Sequence, residues 1–348
     1  MNIDSKRFQR AVVTALLGLG LATAQAQTAA QPGTAASALG SPAASAAADS
    51  PLSLDTGSGT LQGSLRLPGT GKTWPLVLII AGSGPTDRDG NSALLPGHND
   101  SLKMIAAALA DAGFASLRYD KRGIAASAAA GRNESELRFD DYVADARAWV
   151  ARLAADPRFS SVSVLGHSEG ALIASLTAFD NPQVRCMISL AGAGRPVGEV
   201  LRAQLKGKLP PELAQQADAL LSSLEHGNTV AEVPAPLHAL YRPSVQPYLI
   251  SWLQHPPAAA IARVTQPVLI IQGDSDIQIQ PHDAQLLHAS RPGSELVLVP
   301  SMNHVLKSVS GPLPAQLSSY SDPSLPLAPG LSAALTGFLQ RQTAKTPG

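Results

Sequence analysis

One cysteine in 348 residues, Cys186, excludes an intramolecular disulfide in any compartment. It lies in the apolar run Val184 to Leu190, where a thiol reads as a small core side chain rather than a reactive group. Charge is also sparse. The 26 basic residues balance 26 acidic ones, so no net field points to nucleic acid or an anionic surface as partner. Metal-ligand spacing of His or Cys is missing, no Gly-Lys-Ser/Thr follows a glycine-rich loop, and the dinucleotide-binding glycine spacing is absent. Metal chemistry and nucleotide binding therefore have no support, and no cofactor is expected. Aromatics are only 4%, which leaves the core to aliphatic side chains on helices and parallel strands. A small, roughly neutral substrate fits this composition.

Long hydrophobic runs are absent as well. The apolar stretch Ala11 to Ala22 falls short of the roughly 20 residues that cross a bilayer. With Lys6, Arg7 and Arg10 before it and Ala24-Gln25-Ala26 after it, it reads as a secretory leader over 1–26, cleaved near Ala26. The expectation is an exported protein, periplasmic or secreted, with no stable membrane insertion. Residues 27–50 are rich in Ala, Ser, Thr, Pro and Gly and cannot bury enough apolar surface to offset their ordering entropy, so a disordered tether is expected there. About 295 residues remain, 51–345, which suits one large domain.

Within that domain, Leu52 to Pro68 alternates short apolar and polar residues, as antiparallel edge strands do. Trp74 to Ile80 is a continuous apolar run, as in a strand covered on both faces. A helix is predicted from Leu102 to Ala112, a strand from Ala115 to Tyr119, and a helix from Asp140, its cap, to Ala155. Strand Ser161 to Leu165 then runs into Gly166-His167-Ser168-Glu169-Gly170 and a helix Ala171 to Phe179, with strand Val184 to Ala191 after it. Such alternation implies a mostly parallel sheet flanked by helices, with ligand sites beyond the carboxyl ends of the strands. Between about 196 and 257 it lapses into helical segments Glu199 to Lys206, Pro211 to His226 and Val245 to His255, read as an inserted helical cap. The sheet resumes with Pro267 to Gln272, a helix His282 to Ser290, strand Glu295 to Val299 and a last helix Leu331 to Arg341.

A chain that splits an ester needs an activated nucleophile, a base within reach of it, and donors aimed at the developing oxyanion. Gly166-His167-Ser168-Glu169-Gly170 is the only G-x-S-x-G match and lies where an apolar strand meets a helix. That turn strains the serine backbone, and glycines two residues either side avoid collisions of a Cβ with neighbouring elements. Pro267 to Gln272 ends in Gly273-Asp274-Ser275-Asp276, and Glu295 to Val299 ends in Pro300-Ser301-Met302-Asn303-His304. Ser168, Asp276 and His304 thus all reach one sheet edge, as nucleophile, orienting acid and base. Asp274 competes with Asp276 but follows the turn glycine, a place for a loop cap. His282 and His288 compete with His304 but sit on a predicted helix. His167 reads as a side chain packed beneath the turn. The oxyanion donors expected are the backbone N–H groups of Glu169 and of Ser83, in the loop Gly82-Ser83-Gly84-Pro85.

The chain also carries Ala81-Gly82-Ser83-Gly84-Pro85-Thr86-Asp87-Arg88-Asp89 and Leu117-Arg118-Tyr119-Asp120-Lys121-Arg122-Gly123. With the GHSEG elbow, Gly273 to Gln278 and Asn303-His304, in that order, it resembles the α/β-hydrolase superfamily. Within it, the chain is similar to the serine-aminopeptidase-like bacterial carboxylesterases, over roughly 52–342. Position 81 is Ala where many relatives have His, and His255-Pro256 stands where relatives often read Asp-Pro. The resemblance implies an α/β-hydrolase fold and a serine esterase acting on a small-molecule ester with a short acyl group. Asp87, Arg88, Asp89 and Arg122 are read as forming ion pairs that hold the oxyanion loop, or else as a solvated charged turn. Leu249, Ile250 and Trp252 are placed either in a cap pocket or in its core. Two other readings use the same residues. An amidase or aminopeptidase would bind a free amino group with cap carboxylates such as Glu199, Glu212, Asp218, Glu225 or Glu232. A non-catalytic binding protein would keep the fold alone.

Overall fold

The computed structural model describes residues 48–344 apart from 70, 72, 132, 310 and 312. The leader read at 1–26 lies outside the described residues, as does the tether up to residue 47. The first strand begins at Asp49, two residues before position 51. Strand β1 (Asp49–Asp55) already pairs Asp49 with Arg66 of β2 (Thr60–Arg66). The start is anchored from both sides: Asp49 accepts from the Arg118 guanidinium at 2.7 Å, and the Ser50 hydroxyl donates to the carbonyl of Leu65.

The next strand, β3 (Trp74–Ile80), explains why its sequence has no polar face. Leu76, Leu78 and Ile80 enter one core, and Val77 and Ile79 enter the other. Both faces of the sheet are dry at this strand, so period-2 alternation of polarity disappears. The chain then continues through α1 (Ser101–Asp111), β4 (Ala115–Tyr119), α2 (Phe139–Ala154), β5 (Phe159–His167), α3 (Glu169–Ala178) and β6 (Val184–Leu190). After an insertion it returns with β7 (Val268–Gly273), α9 (Pro281–Ser290), β8 (Glu295–Val299), α10 (Leu313–Ser318) and α11 (Leu331–Ala344). The strands lie in the order β1-β2-β4-β3-β5-β6-β7-β8. Only the pairings of β1 with β2 and of β2 with β4 are antiparallel. This is the mostly parallel sheet that the alternation implied. One face is covered by α1 and α11 through Leu102, Ile105, Leu335 and Phe338, the other by α2 and α3 through Trp149, Leu172 and Ile173.

The insertion consists of α4 (Val197–Leu205), α5 (Pro211–Glu225), α6 (His238–Tyr241), α7 (Gln246–Leu253) and α8 (Pro257–Ala262). The first four make the cap, whose Leu201, Leu221, Tyr241 and Leu249 share a core with α3. The last packs on α3 and α9, so it belongs to the sheet layer. Where the cap leaves the sheet, Arg195 pairs with the buried carboxylate of Asp283 at 2.8 Å, and Asp283 also accepts from the N–H of Gly194 and of Arg195. A carboxylate that takes donors from both the hinge backbone and its side chain fixes where the cap sits.

Asp140 does not cap α2. The helix starts one residue earlier, and it is the carboxylate of Asp141, at the third helical position, that accepts from the Arg138 N–H at 2.8 Å. Asp140 instead meets the His255 ring at 2.9 Å. Among the described residues no helix is long and apolar enough to cross a membrane.

Candidate active site

Ser168 stands between β5 and α3 with φ 56° and ψ −121°, a conformation that an L-residue adopts only under constraint. The constraint is steric and comes from the two glycines. A Cβ on Gly166 would lie 1.9 Å from the carbonyl oxygen of Gly170, and one on Gly170 would lie 2.3 Å from that of Ile80. The turn is therefore tighter than any other residue at those positions would allow. The serine side chain makes no capping hydrogen bond to α3, so its hydroxyl is left facing the space above the strand ends. Among the described residues its Oγ has no hydrogen-bond partner, the His304 ring included. Both side chains nevertheless line the same cavity.

The residues expected as acid and base, Asp276 and His304, meet. The Nδ1–H of His304 donates to Oδ2 of Asp276 at 2.7 Å, and the Asp276 side chain is fully buried. Its other oxygen accepts the N–H groups of Gln278 and Ile279, at 2.7 and 3.0 Å, while Gln272 donates to Oδ2 at 3.1 Å. With those bonds the carboxylate is fixed and the imidazole is held in the tautomer that leaves Nε2 as a free base. Gly273 explains how the two loops come so close: a Cβ there would lie 1.9 Å from the Met302 carbonyl. Asp274 takes no part in this pair. Its Oδ1 accepts from the Ser301 N–H at 2.6 Å, so it ties the acid loop to the histidine loop.

His167 lies beneath the turn, as expected, but it also touches His304. Its Nε2–H donates to the carbonyl of His304 at 2.8 Å, with the ring centroids 4.9 Å apart. Its Nδ1 is buried without a partner. Burial, then the neighbouring His304 ring, lowers the pKa of His167 to about 3, so the ring is neutral. Cys186 is buried beside Ser163, and burial pushes its thiol up to about 11, as befits a core side chain.

The loop after β3 brings Gly82 against Ser168, where an added Cβ would sit 3.3 Å from the serine Cβ. Neither the N–H of Ser83 nor that of Glu169 donates to a backbone carbonyl among the described residues. Glu169 opens α3, and its amide adds the positive end of a helix to the site. Behind these amides is a buried charge cluster. Lys121 Nζ donates to the carbonyl of Gly82 at 2.6 Å and to the Glu169 carboxylate at 2.7 Å, with both side chains 1% exposed. The hydroxyl of Tyr248, from α7, donates to the other Glu169 oxygen at 2.7 Å. Burial and the Glu169 charge hold the Tyr248 pKa well above its usual value, so it remains a donor.

Of the four charged residues expected to brace the oxyanion loop, Arg88, Asp89 and Arg122 form ion pairs, each with a partner outside the four. Asp87 spends its carboxylate on the N–H groups of Asp89 and Asn91 within its own turn. Arg88 grips Asp120 at 2.6 Å, Asp89 meets Arg118 at 2.9 Å, and Arg122 reaches Asp145 on α2. The partners were invisible from local spacing because they come from the end of β4 and from α2. The loop is braced against neighbouring elements instead of against itself.

A cavity of about 40 Å³ opens on one side of Ser168, bounded by Leu172, Val197, Val200, Leu201, Trp252 and Ile279. On the other side a space of about 30 Å³ contains His304, Asn99, Val305 and Tyr320. Of the three cap residues placed in pocket or core, Trp252 lines the first cavity, Leu249 is core, and Ile250 packs half-buried against that core. Sequence reasoning gave no role to Lys121 or Tyr248. An ionisable residue just past the end of a fully buried parallel strand was the available signal for Lys121, since ligand sites gather there. Nothing local marked Tyr248. Among the described residues no three His, Cys, Asp or Glu side chains converge as a metal site would need.

Comparison with known proteins gives concordant results. The model of one protein family, described as serine aminopeptidase, S33, matches residues 95–307. The chain is 29% identical over 255 residues to Esterase EstD of Thermotoga maritima, covering 72% of this chain. It spans 59% of the length of that curated relative. Among solved structures it is similar to Est1E from Butyrivibrio proteoclasticus, with a TM-score of 0.57 and 19% identity over 85% of this chain and 99% of that one. An esterase of Pyrococcus furiosus superposes with a TM-score of 0.54 at 15% identity, over 88% of this chain and 96% of the other. At such identities these structures speak for the fold.

Proposed function

The chain belongs to the serine aminopeptidase S33 family and has the α/β-hydrolase fold, and from that premise we propose that it hydrolyses carboxylic esters through an acyl intermediate on Ser168. The observation that carries this reading is the 2.7 Å bond from His304 Nδ1 to a buried, fully engaged Asp276, in a loop whose ring shares a cavity with the strained Ser168. In the first step Ser168 Oγ attacks the ester carbonyl carbon while His304 Nε2 takes its proton. The carbonyl oxygen becomes an anion received by the N–H groups of Ser83 and Glu169. His304 then returns the proton to the leaving alcohol as the carbon–oxygen bond breaks. Water follows: His304 takes its proton, hydroxide adds to the acyl carbon, and Ser168 leaves with the proton restored. Asp276 offsets the imidazolium charge in both halves.

Two features favour a short acyl group. The leaving oxygen must lie within reach of His304, so the alcohol occupies the His304 side and the acyl chain the cavity under the cap. An apolar cavity near 150 Å³ accepts benzene, so about 40 Å³ takes on the order of two or three carbons beyond the carbonyl. The aminopeptidase alternative asks for a carboxylate facing that cavity. Glu199, Glu212, Asp218, Glu225 and Glu232 are not among its lining residues, and Glu169 is already engaged by Lys121 and Tyr248.

Labelling with a fluorophosphonate probe, followed by peptide mapping, is expected to modify Ser168. An unmodified serine would leave a binding protein of the same fold as the better reading. A panel of p-nitrophenyl acetate, butyrate and octanoate against amino-acid anilides is expected to favour the short esters, and faster anilide turnover would shift the substrate class. We further infer export from Lys6, Arg7, Arg10 and the apolar run that follows them. Sequencing the mature amino terminus is expected to begin at Gln27, and an intact Met1 in cell extracts would remove that inference.

A further inference from the structure

Lys121 is a buried cation that the ester mechanism does not use. Burying an ion pair is expensive, and apolar side chains of similar volume usually serve packing as well or better. Its two partners suggest why it is there. The carbonyl of Gly82 and the N–H of Ser83 belong to a single planar trans peptide, so holding the oxygen in one direction aims the N–H in the opposite one. Lys121 Nζ holds that oxygen at 2.6 Å, and the ammonium charge polarises the peptide toward stronger donation at its N–H. Its second partner, 2.7 Å away, is the side chain of Glu169, the residue whose own N–H is the other expected donor. The face of the Tyr142 ring, with its centroid 4.8 Å from Nζ, and the Tyr248 hydroxyl on the far Glu169 oxygen complete the enclosure.

We infer that Lys121 is the positioning residue of the oxyanion hole: one buried ammonium, locked to the Glu169 carboxylate, sets the direction of the Ser83 N–H, while the peptide that carries the Glu169 N–H is held by α3, where the Ala171 N–H donates to the Ser168 carbonyl at 2.9 Å. Tyr248 extends this control to the cap, because it holds the same carboxylate from α7. The inference rests on the assignment of Ser168 as nucleophile and of Ser83 and Glu169 as donors.

The test compares wild type with the double variant Lys121→Met/Glu169→Gln, which removes both charges together and leaves no buried ion unpaired. Folding is checked by thermal melting, kcat and KM are measured on p-nitrophenyl butyrate, and Ki on an alkyl trifluoromethyl ketone. That ketone adds Ser168 and places an oxyanion where the ester would. Loss of one complete donor lowers turnover by on the order of 10²- to 10³-fold, so a misaimed Ser83 N–H is expected to lower kcat about ten- to a hundredfold. KM should stay within about threefold, and Ki should weaken by the same factor as kcat/KM. A role in packing alone would move the melting temperature and leave that proportionality absent. A folded double variant with kcat and Ki within twofold of wild type overturns the inference. If the double variant does not fold, Tyr248→Phe decides on the same two quantities, with a parallel loss of a few-fold expected and unchanged values overturning the inference. Ser168→Ala serves as the separate control: ester turnover that survives it would remove the functional reading itself, whatever Lys121 does.

Discussion

Around Ser168 the floor of the site is built from strand-end loops crossed by short directional hydrogen bonds, whereas the roof is built from aliphatic side chains on cap helices. In the floor, Asp276 alone accepts from His304, Gln272, Gln278 and Ile279, and neighbouring loops approach closely enough that a single added methyl at Gly166, Gly170 or Gly273 would collide. In the roof, Val197, Val200, Leu201 and Trp252 meet the cavity through dispersion contacts alone, and the cap is joined to the floor at a few polar seams. One seam is Arg195 with Asp283, another Tyr248 with Glu169, and a longer one runs from Gln204 to the Gln278 carbonyl at 3.4 Å. Directional bonds fix angles, which acyl transfer needs; dispersion contacts fix volume, which selects an acyl chain. Substitutions in the floor should therefore act on kcat and those in the roof on chain-length preference.

The floor offers the largest effects. Ser168→Ala removes the proposed nucleophile and is expected to lower kcat on the order of 10⁵-fold with the melting temperature unchanged or higher, since a strained residue loses only its hydroxyl. Residual turnover within a hundredfold of wild type would break the comparison at its base. Asp276→Asn is expected to cost on the order of 10⁴-fold, because an amide in place of Oδ2 no longer selects the tautomer with Nε2 free. Here the pH–rate profile is the second check, and a variant that keeps both rate and profile would show that Asp276 does not orient His304. In the roof, Trp252→Phe removes part of a ring and with it an indole N–H that is buried without a partner. Its stacking on Phe139, at 6.0 Å between centroids, survives in a Phe, so the cap should stay folded. The ratio of kcat/KM for hexanoate to that for acetate is expected to rise about three- to tenfold, with acetate kcat little changed. If acetate kcat fell as steeply as in the floor variants, floor and roof would not be separable.

The floor was also the more legible region. Ser168, Asp276 and His304 each stand just beyond an apolar strand, and a parallel sheet brings strand ends together without any knowledge of side-chain contacts. Most element boundaries fell within a residue or two for the same reason: a strand such as Val-Leu-Ile-Ile before Gln272 has no other way to satisfy its burial. What could not be read were contacts between elements distant in sequence. Ion pairs were expected at Arg88, Asp89 and Arg122, but the sequence did not say with what, since each finds its counter-charge on β4, just after it or on α2. Lys121 and Tyr248 are 127 positions apart in the sequence and meet through Glu169 and the Tyr142 ring. The cap was visible as a lapse in alternation, but its shape was not, since the amphipathic pattern of α5 says which face is buried and nothing about what lies against it.

The smallest expected effect concerns His167, which belongs to the floor yet performs no chemistry, and it tests whether the floor is rigid because its ionisable groups are locked in one state. In the folded chain the imidazole titrates at about 3, against about 6.5 when unfolded. Between those values the unfolded chain binds a proton that the folded chain does not, so stability must fall as pH drops from 6.5 toward 3 and is fully present above 6.5. The slope from this one group is at most about 1.4 kcal/mol per pH unit. Its structural origin is the buried Nδ1, which has no acceptor nearby to receive a second proton, while Nε2–H is already committed to the His304 carbonyl. His167→Gln can keep a donor to that carbonyl and cannot be protonated, so the variant should lose less stability than wild type over the same range. Urea unfolding at pH 7.0, 5.5 and 4.5 measures the gap between the two proteins. A gap that narrows or inverts as pH falls is the expected result, and two curves that fall in parallel would mean that the ring titrates normally and that the base rests on a looser support than the geometry implies.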